Sequence, residues 1–175
     1  MKTLEDQLAG YAAYHRDSRN IATHFVGIPL IVAAVAVLLS RPAVEIGGLP
    51  LSPCIVACAV TALYYLRLSA GLGLLMAALL ALAAWLGAWA AALPTAGWLG
   101  VGVGGFVVGW VFQFVGHYWE GRKPAFVDDL MGLVIGPLFV VVEALFMAGL
   151  LPELRRAVEA RAGAVRHGGA QALKA

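Results

Sequence analysis

Charge is what this sequence has least of. Only 13% of its 175 residues are Asp, Glu, Lys or Arg, against about 25% in a soluble globular chain. The net charge is +2, and so small a basic excess gives no footprint for nucleic acid. Cysteine is nearly absent. Cys54 and Cys58 both fall inside an apolar run, where they build neither a disulfide framework nor a zinc knuckle and read as small buried side chains. A secretory leader is not expected either. Met1 to Thr23 is polar and mixed in charge, with Glu5, Asp6, Arg16, Asp17 and Arg19, where a leader has a basic start and then an apolar stretch.

What fills the sequence instead is apolar: 62% of residues are hydrophobic and the mean hydropathy is +0.86. The pattern predicts an all-α, multi-pass transmembrane helical bundle. Residues 3–19 read as an amphipathic N-terminal helix, with Leu4, Leu8, Tyr11 and His15 at helical spacing. Asp17 to Asn20 is a turn or cap cluster. Four spans follow, over 25–40, 54–66, 68–93 and 98–119. Arg41-Pro42, Arg67 and Pro94 to Gly97 separate them. From Leu68 to Trp119 no residue is charged. Residues 130–151 are apolar again but contain Gly136-Pro137 and Glu143, so a broken or re-entrant helix is expected there. The length suits a single membrane-embedded domain over 1–152, followed by a basic, partly disordered tail over 153–175.

Basic residues set the orientation. With Lys2, Arg16 and Arg19 in the cytoplasm, four crossings return Arg67 and then Arg122-Lys123 to that side. A re-entrant 130–151 segment keeps Arg155, Arg156, Arg161 and Arg166 there as well. His24 at the start of the first span and His117 at the end of the fourth then meet at one membrane face.

Polar and ionisable side chains at membrane depth are costly, which makes each a functional candidate. Gln113, His117 and Glu120 fall within about 60° of one another on a helical wheel. A His and a carboxylate one turn apart supply two metal ligands from one helix. Asn20 and His24 share a face at i, i+4. His15 joins them if the chain turns at 17–20, and points away if the helix runs straight. Three histidines, or two with Glu120, would suit Fe(II) with open positions for substrate and O₂. Zinc with a bound water fits equally. Glu143 would orient a ligand His, cap the broken helix or pair with Arg122. Gly100-x-Gly-x-Gly-Gly lies inside a span with no strand before it, so it is no dinucleotide loop. Gly105 and Gly109 make a small-residue face for close helix packing, with which a homo-oligomer is compatible.

Three stretches resemble signatures of the Mpo1-like family. Tyr14-His15, Asn20, His24 and Gly27-Ile28-Pro29-Leu30 are similar to the first. Gln113-Phe114-x-Gly116-His117-x-x-Glu120-Gly121-x-x-Pro124-Ala125 resembles the second, and Leu133 to Glu143 with Gly136-Pro137-Leu138-Phe139 the third. The resemblance implies an Fe(II)-dependent dioxygenase that shortens 2-hydroxy fatty acids by one carbon. It also implies that His15, His24 and His117 serve the iron. The expected partners are a 2-hydroxy fatty acid, O₂ and the lipid bilayer. Arg122 and Lys123 are candidates to steady the acid's carboxylate. The Ala-, Leu- and Gly-rich composition suits a bacterial inner membrane, with the endoplasmic reticulum as the eukaryotic counterpart. Two other classes remain open on residues alone: a zinc-dependent hydrolase of membrane lipids, and a non-enzymatic scaffold or bis-His haem protein.

Overall fold

The computed structural model describes residues 2–47 and 49–167, without the side chains of residues 49 and 50. It is helical apart from one short hairpin. The helices are α1 Leu4–Ala12, α2 Ser18–Leu38, α3 Pro53–Leu68, α4 Ala70–Ala91, α5 Thr95–Glu120, α6 Met131–Met147 and α7 Pro152–Ala162. Strands β1 Val44–Ile46 and β2 Leu49–Leu51 pair antiparallel, Val44 opposite Leu51. The chain divides into two compact units, one of residues 29–109 and one of the residues on either side. Helices α2 and α5 contribute a portion to each.

By length and composition, α2, α4 and α5 are helices able to cross a membrane. At 1.5 Å per residue, the 21 residues of α2 reach about 32 Å, enough for a hydrocarbon core of about 30 Å. The remaining expected span is the shorter apolar helix α3, whose 16 residues reach about 24 Å. Ser52 caps its start, with Pro53 in the first turn, and Ser69 both ends it and caps α4. Val60, Leu63, Leu74, Leu82 and Trp85 face outward, as suits helices solvated by lipid.

Within the 29–109 unit, small residues let the helices approach closely. A Cβ on Gly73 would lie 2.5 Å from Leu66 Cα, and one on Gly87 would lie 2.7 Å from the Ala36 carbonyl oxygen. Ala36, Cys54 and Ala83 form a buried cluster there. Arg41 closes the end of α4, donating to the carbonyls of Ala91 and Leu93 with its guanidinium over the Trp98 ring.

In the other unit, α1 begins with a capping box between Thr3 and Asp6. It stops at Ala12, earlier than the helix expected over 3–19, and the chain turns through 13–17. Asp17 then caps α2, its Oδ1 accepting from the Arg19 amide at 2.9 Å. Helix α2, the first candidate span, therefore begins at Ser18 and takes in Asn20–His24 ahead of the apolar run from Phe25.

Helix α6 runs unbroken through Gly136-Pro137, contrary to the break expected there. Proline removes only one helical hydrogen bond, and the flanking Leu138 and Phe139 are buried to 1% exposure. Gly136 serves packing: a Cβ there would sit 2.8 Å from the Tyr11 hydroxyl. The bend comes later, through Gly149 and Leu151, both at positive φ, and α6 meets α7 at 118°. Of the tail expected from 153, residues 153–162 are helical. Residues 168–175 lie outside the described residues.

Candidate metal centre

Three elements bring three histidines together. His15 sits in the turn after α1, His24 in the second turn of α2, and His117 in the last turn of α5. The ring centroids of His15 lie 4.5 Å from those of His24 and 4.9 Å from those of His117. His24 and His117 are 5.1 Å apart. One nitrogen from each ring falls within 4.8 Å of the others. His15 and His24 are 0% exposed and His117 6%, so the cluster is closed to bulk water.

The hydrogen bonds fix the tautomers. His15 Nδ1 lies 2.7 Å from the Tyr11 carbonyl and His24 Nδ1 lies 2.9 Å from the Asn20 carbonyl. A carbonyl only accepts, so each Nδ1 carries the hydrogen and each Nε2 presents a lone pair. Those two Nε2 atoms face each other at 3.0 Å. Two lone pairs so close repel unless a proton or a cation stands between them. A proton is disfavoured, because burial and the neighbouring His24 hold the His15 ring well below its ordinary pKa of 6.5. His117 adds a buried Nδ1 with no hydrogen-bond partner. The donor set therefore fits a divalent transition metal that accepts imidazole. His15 and His24, with their Nε2 atoms 3.0 Å apart, do not fit the two faces of one haem. Axial nitrogens on opposite faces of an iron stand about 4 Å apart, twice a metal–nitrogen bond of about 2 Å.

Around the rings, the structure holds His15 on several sides. The Tyr11 ring stacks on its imidazole at 4.1 Å and 6°, and Phe139 lies 5.6 Å away. The turn has no ladder of its own, so its amides need outside acceptors. Glu120 supplies them. Its Oε2 accepts from the Arg16 amide at 2.9 Å, the Asp17 amide at 2.7 Å and Asn20 Nδ2 at 3.0 Å. Its Oε1 accepts from Arg166 at 2.6 Å. Glu120 was expected among the ligands. Among the described residues, the converging group is the three histidines without it, and both its oxygens are engaged by the turn and by Arg166.

Glu143 pairs with Arg16 at 3.2 Å, not with Arg122, and both side chains are under a tenth exposed. Arg16 also donates to the carbonyls of Ala12 and His15, at 2.8 and 2.9 Å. Glu143 thus reaches His15 through Arg16. Asn20 is wholly buried, with its Nδ2 on Glu120 and its Oδ1 unpartnered. Gln113, one turn before His117, is buried with Nε2 unpartnered. Arg122 and Lys123 are exposed and engaged elsewhere: Arg122 donates to the Ala13 carbonyl at 3.0 Å, and Lys123 pairs with Asp128 at 2.6 Å.

Sequence reasoning missed Arg16 and Arg166, both counted only as cytoplasmic charge. A buried Glu143 in an apolar helix does call for a cation, and Arg16 is the one that reaches it. Nothing in the sequence pattern marks Arg166.

The comparisons with known proteins place the chain in one family. The sequence model of the family described as 2-hydroxy-palmitic acid dioxygenase Mpo1-like matches residues 1–148. The chain is also 33% identical over 159 residues to a Saccharomyces cerevisiae protein named 2-hydroxy-palmitic acid dioxygenase MPO1, covering 89% of this chain and 87% of that one. No solved structure matches.

Proposed function

Because the chain belongs to the Mpo1-like family, we propose that it is an Fe(II)-dependent dioxygenase that shortens 2-hydroxy fatty acids by one carbon. The observation that carries this reading is the pair of inward-facing Nε2 atoms, 3.0 Å apart and both held as acceptors. His15, His24 and His117 are the ligands, and Glu120 is the anchor of the turn that presents His15. The yeast relative's name supplies the substrate class, and three histidine ligands would leave coordination positions of an iron for substrate and O₂.

Bound Fe(II) would supply activation of O₂ next to a chelated 2-hydroxy acid. The overall chemistry balances as 2-hydroxy acid plus O₂ giving the acid one carbon shorter, CO₂ and water. The protein's own contributions are positional. Tyr11 and Asn20 hold the Nδ1 hydrogens through their carbonyls, which keeps both Nε2 lone pairs turned inward. Tyr11 and Phe139 wall the rings and exclude water. Gln113 offers an unused buried amide beside His117, suited to a carboxylate or hydroxyl of the substrate.

The setting is a multi-pass membrane protein with this centre at the cytoplasmic face. The polar head of the acid would meet the metal while its chain stays among apolar helices. The test is an O₂ electrode trace and product analysis on purified protein loaded with Fe(II) or with Zn(II). O₂ uptake with Fe(II) alone, and an acid one carbon shorter, are expected. Lipid hydrolysis by the Zn(II) form, or no uptake with iron bound, would sink the proposal.

A further inference from the structure

The family match ends at residue 148, yet the chain beyond it returns to the metal centre. Helix α7 docks on α1 through Arg161 and Asp6, 2.7 Å apart, and buries Val158 to 1% exposure. Gly163, at φ 84, then turns the chain. Residues 163–166 run along the turn that carries His15. Arg16 Nη1 donates to the Gly163 carbonyl at 3.0 Å. The Arg166 amide donates to the Arg16 carbonyl at 2.7 Å, and the Ser18 amide donates to the Arg166 carbonyl at 3.0 Å. Asp17 and Arg166 form a parallel bridge.

The side chain of Arg166 completes the contact. The Glu120 side chain is 1% exposed, and the cation on it is Arg166, itself half exposed. A carboxylate so buried is costly unless paired. The same carboxylate holds the Arg16 and Asp17 amides, which flank Arg16, and the Asn20 side chain. Asn20 in turn holds His24 through its carbonyl. One cation thus stabilises the anchor of the turn that carries His15, and of the Asn20 side chain one turn before His24.

We infer that Arg166 is a positioning residue of the metal centre, and that residues 163–166 are a strap completing it from outside the family's matched core. The inference rests on the histidines binding a metal. The strap acts in two ways: its main chain satisfies the turn, and its guanidinium neutralises Glu120. The guanidinium touches Glu120 through one nitrogen, so a lysine would serve in its place.

Anaerobic titration with Co(II) tests this on the full chain in detergent, because visible absorption of Co(II) reports both occupancy and geometry. Arg166→Gln should weaken Co(II) binding about tenfold or more, and Arg166→Lys should restore it to within about threefold. Ending the chain at Ala162 removes both contributions and should weaken it further. Circular dichroism checks that each variant is folded. Arg161→Ala loosens α7 from α1 but leaves residues 163–166 intact, so its Co(II) affinity should stay within about twofold of wild type. Wild-type affinity in both Arg166→Gln and the shortened chain would overturn the inference alone. An equal loss in Arg161→Ala, or no rescue by lysine, would overturn the positioning role. A wild-type protein that binds neither Co(II) nor Fe(II) would overturn the metal reading together with this one.

Discussion

Glu120→Gln is the substitution that most sharply separates an anchor from a ligand. The carboxylate accepts four hydrogen bonds, three on Oε2 and one on Oε1. Glutamine keeps one acceptor oxygen, which would take the three donors from the turn. Each of those bonds then falls from charge-assisted to neutral, a loss of about 0.5–1 kcal/mol apiece. Its amide nitrogen would face the Arg166 guanidinium, donor against donor. Arg166 is half exposed, so it turns to water and adds little. Together the loss is about 1.5–3 kcal/mol. The His15 turn loosens, and metal affinity should fall about 10–100-fold. The three histidines remain, so the shape of the Co(II) spectrum should not change. Denaturant unfolding of the apo protein and Co(II) titration read the two effects. A variant within about 0.5 kcal/mol of wild type, or a Co(II) spectrum of altered coordination, would refute the anchor reading.

Gly116→Ala should destabilise by about 1–3 kcal/mol or more, since the new methyl would collide with Asn20 Oδ1 and Thr23 Oγ1; thermal unfolding checks this. Arg122→Ala combined with Lys123→Ala should change KM for the 2-hydroxy acid less than about threefold, because the structure commits both side chains to other partners; steady-state O₂ uptake reads it. The apo protein should lose stability as pH falls below about 6.5, because the unfolded His15 takes up a proton there and the folded ring, held well below that value, does not. The slope is up to ~1.4 kcal/mol per pH unit for that one group. His15→Gln should flatten that part of the slope, and a slope unchanged in that variant would contradict it.

The membrane helices were legible because bilayer solvation leaves a coarse signal: long uncharged runs broken by Arg, Pro and Gly. The histidines were legible because polar residues stand out against that background. Charge-based topology placed His24 and His117 together, but His15 depended on whether one helix stopped. It stops because the Arg16 and Asp17 amides find a better acceptor in Glu120 than in a continued helix. That acceptor lies a hundred residues away, which no local pattern reveals. Gly136-Pro137 misled for a related reason. Tyr11 demands a glycine at that contact, and surrounding packing carries the helix over the proline. Glu120 was read as a ligand because spacing alone cannot tell a carboxylate facing a metal from one facing amides. Arg166 escaped altogether, since its role exists only once the chain folds back.

Iron K-edge X-ray absorption on the Fe(II)-loaded protein, compared with a His24→Ala, His117→Ala variant, tests the central claim most directly. Three imidazole scatterers at about 2.0–2.2 Å are expected, one from each histidine of the cluster, and the two from His24 and His117 should be lost from the variant. An iron shell without imidazole, or one that survives the double substitution unchanged, would contradict it.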